Sequence, residues 1–128
     1  MNLSRKLKAL TIVAATGAAI AFAAPSASAW GLGGDTGQGN CAGYFVATNR
    51  GSNWAAAEVH GPFCMIRIEQ HNASTNGWNY TDWVETPFSG GFADTAALYH
   101  NDGVHFLRAC VVAMGTGSST PQCGNWLY

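Results

Sequence analysis

Four cysteines constrain the fold of this chain more than any other feature of its sequence. Cys41, Cys64, Cys110 and Cys123 all follow an N-terminal segment that has the form of a secretory signal peptide. An even number of cysteines in a short exported chain indicates a disulfide framework, and four cysteines allow three pairings. The pairing Cys41–Cys64 with Cys110–Cys123 is favoured because each bridge closes a short loop. The sequence has no C-x-x-C pair, so a zinc site is disfavoured, and no metal or cofactor is expected.

The pattern of residues 1–29 predicts a cleaved signal peptide. A basic start precedes an apolar run over residues 9–24, and small residues then lead to a cleavage position before Trp30. The apolar run is short for a membrane span of roughly 20 residues, so an uncleaved anchor is disfavoured. We therefore expect a secreted, extracellular protein that has no membrane attachment after cleavage.

The chain that follows the predicted cleavage position is acidic. Every lysine lies in the signal segment, and residues 30–128 contain three arginines and seven acidic residues, which gives a formal charge of −4. Nucleic-acid-binding proteins need clustered lysine and arginine to neutralise phosphates, so that class is disfavoured. Attraction to anionic membrane surfaces is disfavoured for the same reason.

The pattern of residues after Trp30 predicts strands. No stretch shows a sustained 3.6-residue apolar period, and short β-rich runs alternate with Gly, Asn, Ser and Pro, as in all-β domains. We expect a small disulfide-stapled antiparallel β-sandwich, with a small closed β-barrel as the alternative. In this interpretation residues 41–128 form a single β domain, and residues 30–40 form a loosely ordered, glycine-rich leader.

The segments on either side of Gly61-Pro62 predict a β-hairpin. Glycine at the first central position suits a type II′ turn, which would place His60 opposite Phe63. In that register one face of the hairpin is wholly apolar and the other is mixed, as a half-buried antiparallel pair requires. The apolar face consists of Ala55, Ala57, Val59, Cys64, Ile66 and Ile68.

Two histidines flank a turn signal in "YHNDGVHF" (residues 99–106). A type I′ turn at Asp102-Gly103 would make His100 and His105 a directly opposed cross-strand pair, whereas a type I turn with a bulge would not. Two imidazoles do not complete a zinc site, so polar residues near a hairpin tip are the favoured interpretation. Glu58 and His60 share a strand face, a spacing that suits either a tuned general base or a solvated surface.

The aromatic residues carry the main functional signal. All five tryptophans lie after the signal segment, and "GWNYTDW" alternates bulky rings with polar side chains. Strand alternation puts Trp78 and Tyr80 on one face and Trp83 on the other. Exposed rings beside amide and carboxylate groups suit sugar faces or the hot spots of protein interfaces. The candidate ligand-binding residues are Trp54, Trp78, Tyr80 and Trp83.

The sequence favours a small secreted binding module over an enzyme. Its expected partner is an extracellular glycan or protein, and no catalytic residue is assigned. One alternative is a secreted hydrolase that uses His100 or His105 with a nearby carboxylate. The other is a secreted structural, inhibitory or toxic protein that acts on a protein partner. The oligomeric state is left open.

Overall fold

The computed structural model describes residues 31–128, so the predicted signal peptide lies outside the described residues. The predicted all-β sandwich is confirmed: two antiparallel sheets pack face to face. The described strands are β1 (Gly31–Gln38), β2 (Cys41–Ala47), β3 (Trp54–His60), β4 (Cys64–Asn72), β5 (Gly77–Tyr80), β6 (Val84–Glu85), β7 (Phe92–Asp94), β8 (Leu98–Tyr99), β9 (His105–Ala113) and β10 (Gln122–Cys123). No helix within the described residues is long and apolar enough to cross a membrane.

Each sheet has five strands. Sheet A has the order β1-β2-β3, and both β7 and β8 pair with the far side of β3. Sheet B has the order β10-β9-β4-β5, and β6 also pairs with β4. Over residues 31–128 neither sheet closes on itself, so the barrel alternative is wrong.

The core lies between the inner faces of the two sheets. Phe45 and Val59 of sheet A are fully buried, as are Ile66, Ile68 and Leu107 of sheet B. Small alanines on β3 and β9 alternate with these larger side chains in the same cluster. Period-2 alternation places these residues inward and leaves the intervening positions for the two outer faces.

The two disulfides are those that the sequence favours. Cys41 of β2 is bonded to Cys64 of β4, so this bridge joins the two sheets through the core. Cys110 of β9 is bonded to Cys123 of β10, its directly opposed neighbour within sheet B. One bridge therefore locks the sheets together, and the other holds a two-residue edge strand.

The predicted hairpin around Gly61-Pro62 is wrong. Strands β3 and β4 lie in different sheets, so the chain crosses the sandwich between them. The Gly61 and Phe63 N–H groups donate to the carbonyls of Gly91 and Pro87 rather than across a two-residue loop. The six apolar side chains of the predicted face nevertheless all lie in the core, because they face one another across it. Alternation identifies an apolar face but not whether its partner lies beside it or opposite it.

Residues 31–38, which the sequence places in a loosely ordered leader, form strand β1 along the edge of sheet A. Glycine is needed here because β1 approaches the core closely. A Cβ atom on Gly34, where φ is +71°, would lie 2.5 Å from the Phe45 ring. A glycine-rich composition thus permits tight packing in this strand rather than disorder.

Three buried threonines bridge breaks in the strand pairing. The Thr86 N–H donates to the Cys64 carbonyl at 2.8 Å, and the Cys64 N–H donates to Thr86 Oγ1 at 2.8 Å. The hydroxyl thus takes the place of a backbone carbonyl. The same exchange joins Thr81 to Ile68 and Thr95 to Ala57.

Replacement of Thr86 by valine is expected to lower the free energy of unfolding by about 1–3 kcal/mol, because it leaves the buried Cys64 N–H without an acceptor. Thr86→Ser keeps the hydroxyl and should cost less. Urea unfolding of the oxidised protein measures both. A larger loss for serine, which lacks the methyl group, than for valine, which lacks the hydroxyl, would show that the methyl packing, not the hydrogen bond, matters.

Candidate functional site

The outer face of sheet B carries a cluster of aromatic and arginine side chains. Strands β4 and β9 contribute the two arginines, and β5 contributes Trp78 and Tyr80 by alternation. We call this cluster the ladder; it consists of Arg67, Trp78, Tyr80, Trp83, Arg108 and Trp126.

Each arginine of the ladder lies over two rings. The Arg67 Cζ atom is 4.6 Å from the centroid of the Tyr80 ring and 4.7 Å from that of Trp83. The Arg108 Cζ atom is 4.9 Å from the Trp126 centroid and 5.7 Å from that of Trp78. These distances lie within the roughly 6 Å range of cation–π attraction, which holds rings and guanidinium groups together.

Glu69 fixes the two arginines from beneath. This residue is only 7% exposed, although it lies on the outer face. Arg108 Nε donates to Glu69 Oε1 at 2.8 Å, and Arg67 Nη2 donates to Glu69 Oε2 at 2.9 Å. Charge-assisted hydrogen bonds of this kind orient both guanidinium groups, so the ladder is a preorganised surface.

The ladder is accessible to a partner. Trp78 and Tyr80 are 46% and 49% exposed, and their rings are nearly parallel, at 12°. Beside Trp83 lies a shallow hollow of about 390 Å³ whose apolar lining includes Met65, Val112 and Met114. The outer face therefore joins charged, aromatic and apolar groups in one surface.

The structure separates the four predicted binding residues into two groups. Trp78, Tyr80 and Trp83 belong to the ladder, whereas Trp54 lies on sheet A, where Arg50 covers its ring at 4.0 Å. The prediction that Trp83 faces away from Trp78 is wrong. Strand β5 ends at Tyr80, and the chain leaves regular alternation before Trp83.

Four residues of this surface carry no signal in the local sequence patterns: Arg67, Glu69, Arg108 and Trp126. The first three could be recognised only from the strand register, because Glu69 lies opposite Arg108 in the β4–β9 pair. That register is set by contacts between segments far apart in the chain. Trp126 reaches the ladder from the C-terminal segment, which carries no local sign of this contact.

Glu69 also lies beside the Cys110–Cys123 disulfide. A carboxylate oxygen and the two sulfur atoms are within 4.8 Å of one another. Both sulfurs are consumed in the disulfide bond, so this group does not offer the thiolates that a soft metal ion requires.

The outer face of sheet A holds a second polar cluster, formed by Tyr44, Glu58, His60 and Asp94. Glu58 lies between Tyr44 and Asp94 in the strand register. Its Oε1 atom is 2.6 Å from His60 Nε2 and 3.1 Å from the Tyr44 hydroxyl. Glu58 and His60 thus interact as their spacing allows, within a network that spans three strands.

The two carboxyl groups of this cluster, those of Glu58 and Asp94, have pKa values shifted in opposite directions. Burial, then the hydrogen bond and charge of Glu58, raise the pKa of Asp94 to about 6. Burial alone would raise the pKa of Glu58, but hydrogen bonds from Asp94, His60 and Tyr44 outweigh it and lower that pKa. Burial and the neighbouring Glu58 raise the pKa of Tyr44 to about 12. Below a pH of about 6, Asp94 is therefore the carboxyl group of the pair that carries the proton.

The contribution of Asp94 to stability is expected to fall as the pH rises from about 4 to about 6, because the pKa of an unperturbed aspartate is 3.8, whereas that of Asp94 in the fold is about 6. The folded state binds the extra proton in this window, and its stabilising effect is complete only below the window. Asp94→Asn removes this proton and should flatten the decline in melting temperature. Asp82→Asn controls for the loss of one surface charge. A decline as steep in Asp94→Asn as in the wild type would contradict the assignment.

The predicted hairpin at residues 99–106 is also wrong. Strand β8 belongs to sheet A and β9 to sheet B, so His100 and His105 are not a cross-strand pair. His100 is 4% exposed, and its Nδ1 atom is 3.1 Å from the Tyr128 carbonyl oxygen. Its Nε2 atom is buried and has no hydrogen-bond partner among the described residues.

Asp102 makes the turn that the sequence signals. Its Oδ1 atom accepts the N–H groups of Val104 at 2.9 Å and His105 at 2.7 Å. Its Oδ2 atom lies 2.6 Å from His105 Nδ1. The His105 backbone N–H, followed by the His105 ring, holds the pKa of Asp102 at about 2. A carboxylate and a histidine do meet here, as one part of the hydrolase alternative requires.

Comparison with known protein families, with curated proteins and with solved structures finds no match to this chain. The function therefore rests on the chemistry of the sites themselves.

Proposed function

We propose that this chain is a small secreted binding module whose ladder docks on the surface of an extracellular protein. The observation that carries the proposal is the set of exposed rings held in place by Arg67, Glu69 and Arg108. Tryptophan, tyrosine and arginine are the residues that dominate interface hot spots. Side chains that are already ordered lose little entropy on binding. The two disulfides suit an oxidising, extracellular setting.

The charge and shape of the ladder indicate the chemistry of the partner. Two arginines share one glutamate in the ladder, which leaves one excess positive charge there, although residues 30–128 are acidic as a whole and Glu85 lies opposite Met65 on the same face. The adjacent hollow beside Trp83 offers an apolar lining. A matching protein surface presents a carboxylate next to an apolar side chain that fills the hollow.

Two other functions have weaker support. A glycan is a poorer fit to the ladder because a guanidinium group already covers a face of the rings on which a sugar would stack. A hydrolase that uses His105 as a general base needs a nucleophilic group within hydrogen-bonding distance of its Nε2 atom. This atom instead lies 3.3 Å from the amide nitrogen of Asn72, which is not a nucleophile.

The test begins with capture of surface and medium proteins of the producing cells on the oxidised domain, followed by titration of the identified partner by calorimetry. Trp83→Ala is expected to raise the Kd about 30-fold, the effect of losing a hot-spot residue of about 2 kcal/mol. Trp54→Ala, on the opposite sheet, is the matched control and should leave the Kd unchanged. A partner that binds both variants like the wild type, or a glycan whose binding requires Trp83, would overturn the proposal.

A further inference from the structure

A polar pocket opens at one end of sheet B, beyond the edge of the apolar core. Its volume is about 200 Å³, and we call it the edge pocket; it is lined by Gln70, Asn72, Thr75, Gly77, Trp78, Asn79 and His105. Gln70 and Asn72 continue the inward-facing series of Ile66 and Ile68 along β4. The inner face of the sheet thus changes from apolar to polar where the core ends.

Neighbouring strands add to the same face. Asn79 of β5 lies opposite Gln70, and His105 of β9 lies opposite Asn72. The Tyr99 ring packs edge-on against His105, with ring centroids 6.0 Å apart. Four polar side chains from three strands therefore converge on one small space.

Hydrogen bonds fix the orientation of these side chains. Gln70 Nε2 donates to the Tyr99 carbonyl at 2.7 Å, and Asn79 Nδ2 donates to Gln70 Oε1 at 3.3 Å. Asp102 accepts from His105 Nδ1, since a carboxylate cannot donate, so His105 Nε2 is the acceptor that faces Asn72 Nδ2 at 3.3 Å. The groups that line the pocket are thus placed before any ligand arrives.

The lining keeps hydrogen-bonding capacity for a ligand. Each amide nitrogen of Asn72 and Asn79 uses one N–H in the bonds above, and a primary amide has two. Thr75 Oγ1 accepts the Gly77 N–H at 3.2 Å, which leaves its own hydrogen to donate. None of the lining residues is a lysine, arginine, aspartate or glutamate, so the pocket favours an uncharged ligand.

We propose that the edge pocket binds a neutral sugar residue. Vicinal hydroxyl groups, each both donor and acceptor, match the amides of Asn72 and Asn79 and the hydroxyl of Thr75. Trp78 also borders the pocket, but its ring packs against His71 and Trp126 on the outer face of sheet B, so hydrogen bonds rather than ring stacking would hold the sugar. This site is separate from the proposed protein-binding function, because it uses the inner face of sheet B, and only Trp78 is shared.

The test is an NMR titration of the oxidised, ¹⁵N-labelled domain with glucose, galactose, mannose and N-acetylglucosamine at millimolar concentrations. At least one sugar is expected to shift the side-chain amide signals of Asn72 and Asn79, and the shifts should saturate. Asn79→Ala should weaken this binding about tenfold, the effect of losing one or two hydrogen bonds. Asn79 is exposed, and unchanged thermal melting would verify that the variant folds.

Two matched variants make the result decisive. Asn40→Ala removes an exposed asparagine at the opposite end of the sandwich and should bind the sugar like the wild type. Trp83→Ala disrupts the ladder but not the pocket, so it should keep sugar binding even where protein binding is lost. The proposal is overturned if none of the four sugars causes saturable shifts, or if Asn79→Ala binds as tightly as Asn40→Ala.

Discussion

Loss of the Cys41–Cys64 disulfide, through Cys41→Ala together with Cys64→Ala, is expected to lower the free energy of unfolding by about 3–4 kcal/mol. The bridge closes a loop of sequence separation 23 and is buried between the two sheets. Its loss removes a constraint on the unfolded chain and also leaves unfilled space in the core. Urea unfolding of the oxidised protein measures the change.

The second disulfide supplies the comparison. Cys110→Ala with Cys123→Ala opens a loop of sequence separation 13 and removes a bond between adjacent strands of one sheet, where Cys123 is exposed. Its loss should cost less, about 3 kcal/mol at most, because the loop is shorter and Cys110, although buried, lies outside the cluster between the two sheets. A larger loss for this pair than for the first would contradict the assigned role of the inter-sheet bridge.

Glu69→Leu is expected to destabilise the fold by about 2 kcal/mol and to alter tryptophan emission. The substitution leaves two guanidinium groups without the carboxylate that they share, and a broken buried ion pair typically costs about 3–5 kcal/mol. The loss is smaller here because the side chains of Arg67 and Arg108 are 27% and 34% exposed and can turn towards water. As they turn, they leave the rings of the ladder.

Glu85→Leu is the matched control, since Glu85 is an exposed glutamate on β6 of the same sheet. It should change neither stability nor emission by a comparable amount. The double variant Glu69→Leu with Arg108→Leu should recover part of the loss, because it removes one of the two uncompensated charges. Emission that is identical in Glu69→Leu and the wild type would show that Glu69 does not order the ladder.

Much of the fold follows from local patterns. Strands β2, β3, β4 and β9 lie where alternation and β-rich composition place them, and the cysteines pair as loop length favours. Both predicted hairpins fail for one reason. At Gly61-Pro62 and at Asp102-Gly103 the chain crosses between sheets, and a turn signal reports only that the chain reverses or bends.

The candidate site was predictable only in part. The motif "GWNYTDW" predicts exposed aromatic rings, and Trp78 and Tyr80 are indeed exposed. The partners that organise these rings are arginines on β4 and β9, whose register joins residues 39 positions apart in sequence. Likewise, Asn79 and His105 meet at the edge pocket through β4, which lies between their strands.

The all-β class and the inward faces of the long strands are predictable from sequence alone, and loop length favours one of the three possible pairings of the four cysteines. These properties depend on period-2 alternation, turn composition and loop length, all of which are local or nearly so. The identity of neighbouring strands follows only from the packed fold, and so do the ladder on one face of sheet B and the polar pocket at its end. Strand pairing depends on contacts between segments that are far apart in the chain, because several strands could form the same backbone hydrogen bonds and cover the same core. The pairing is therefore established only when the two sheets pack together.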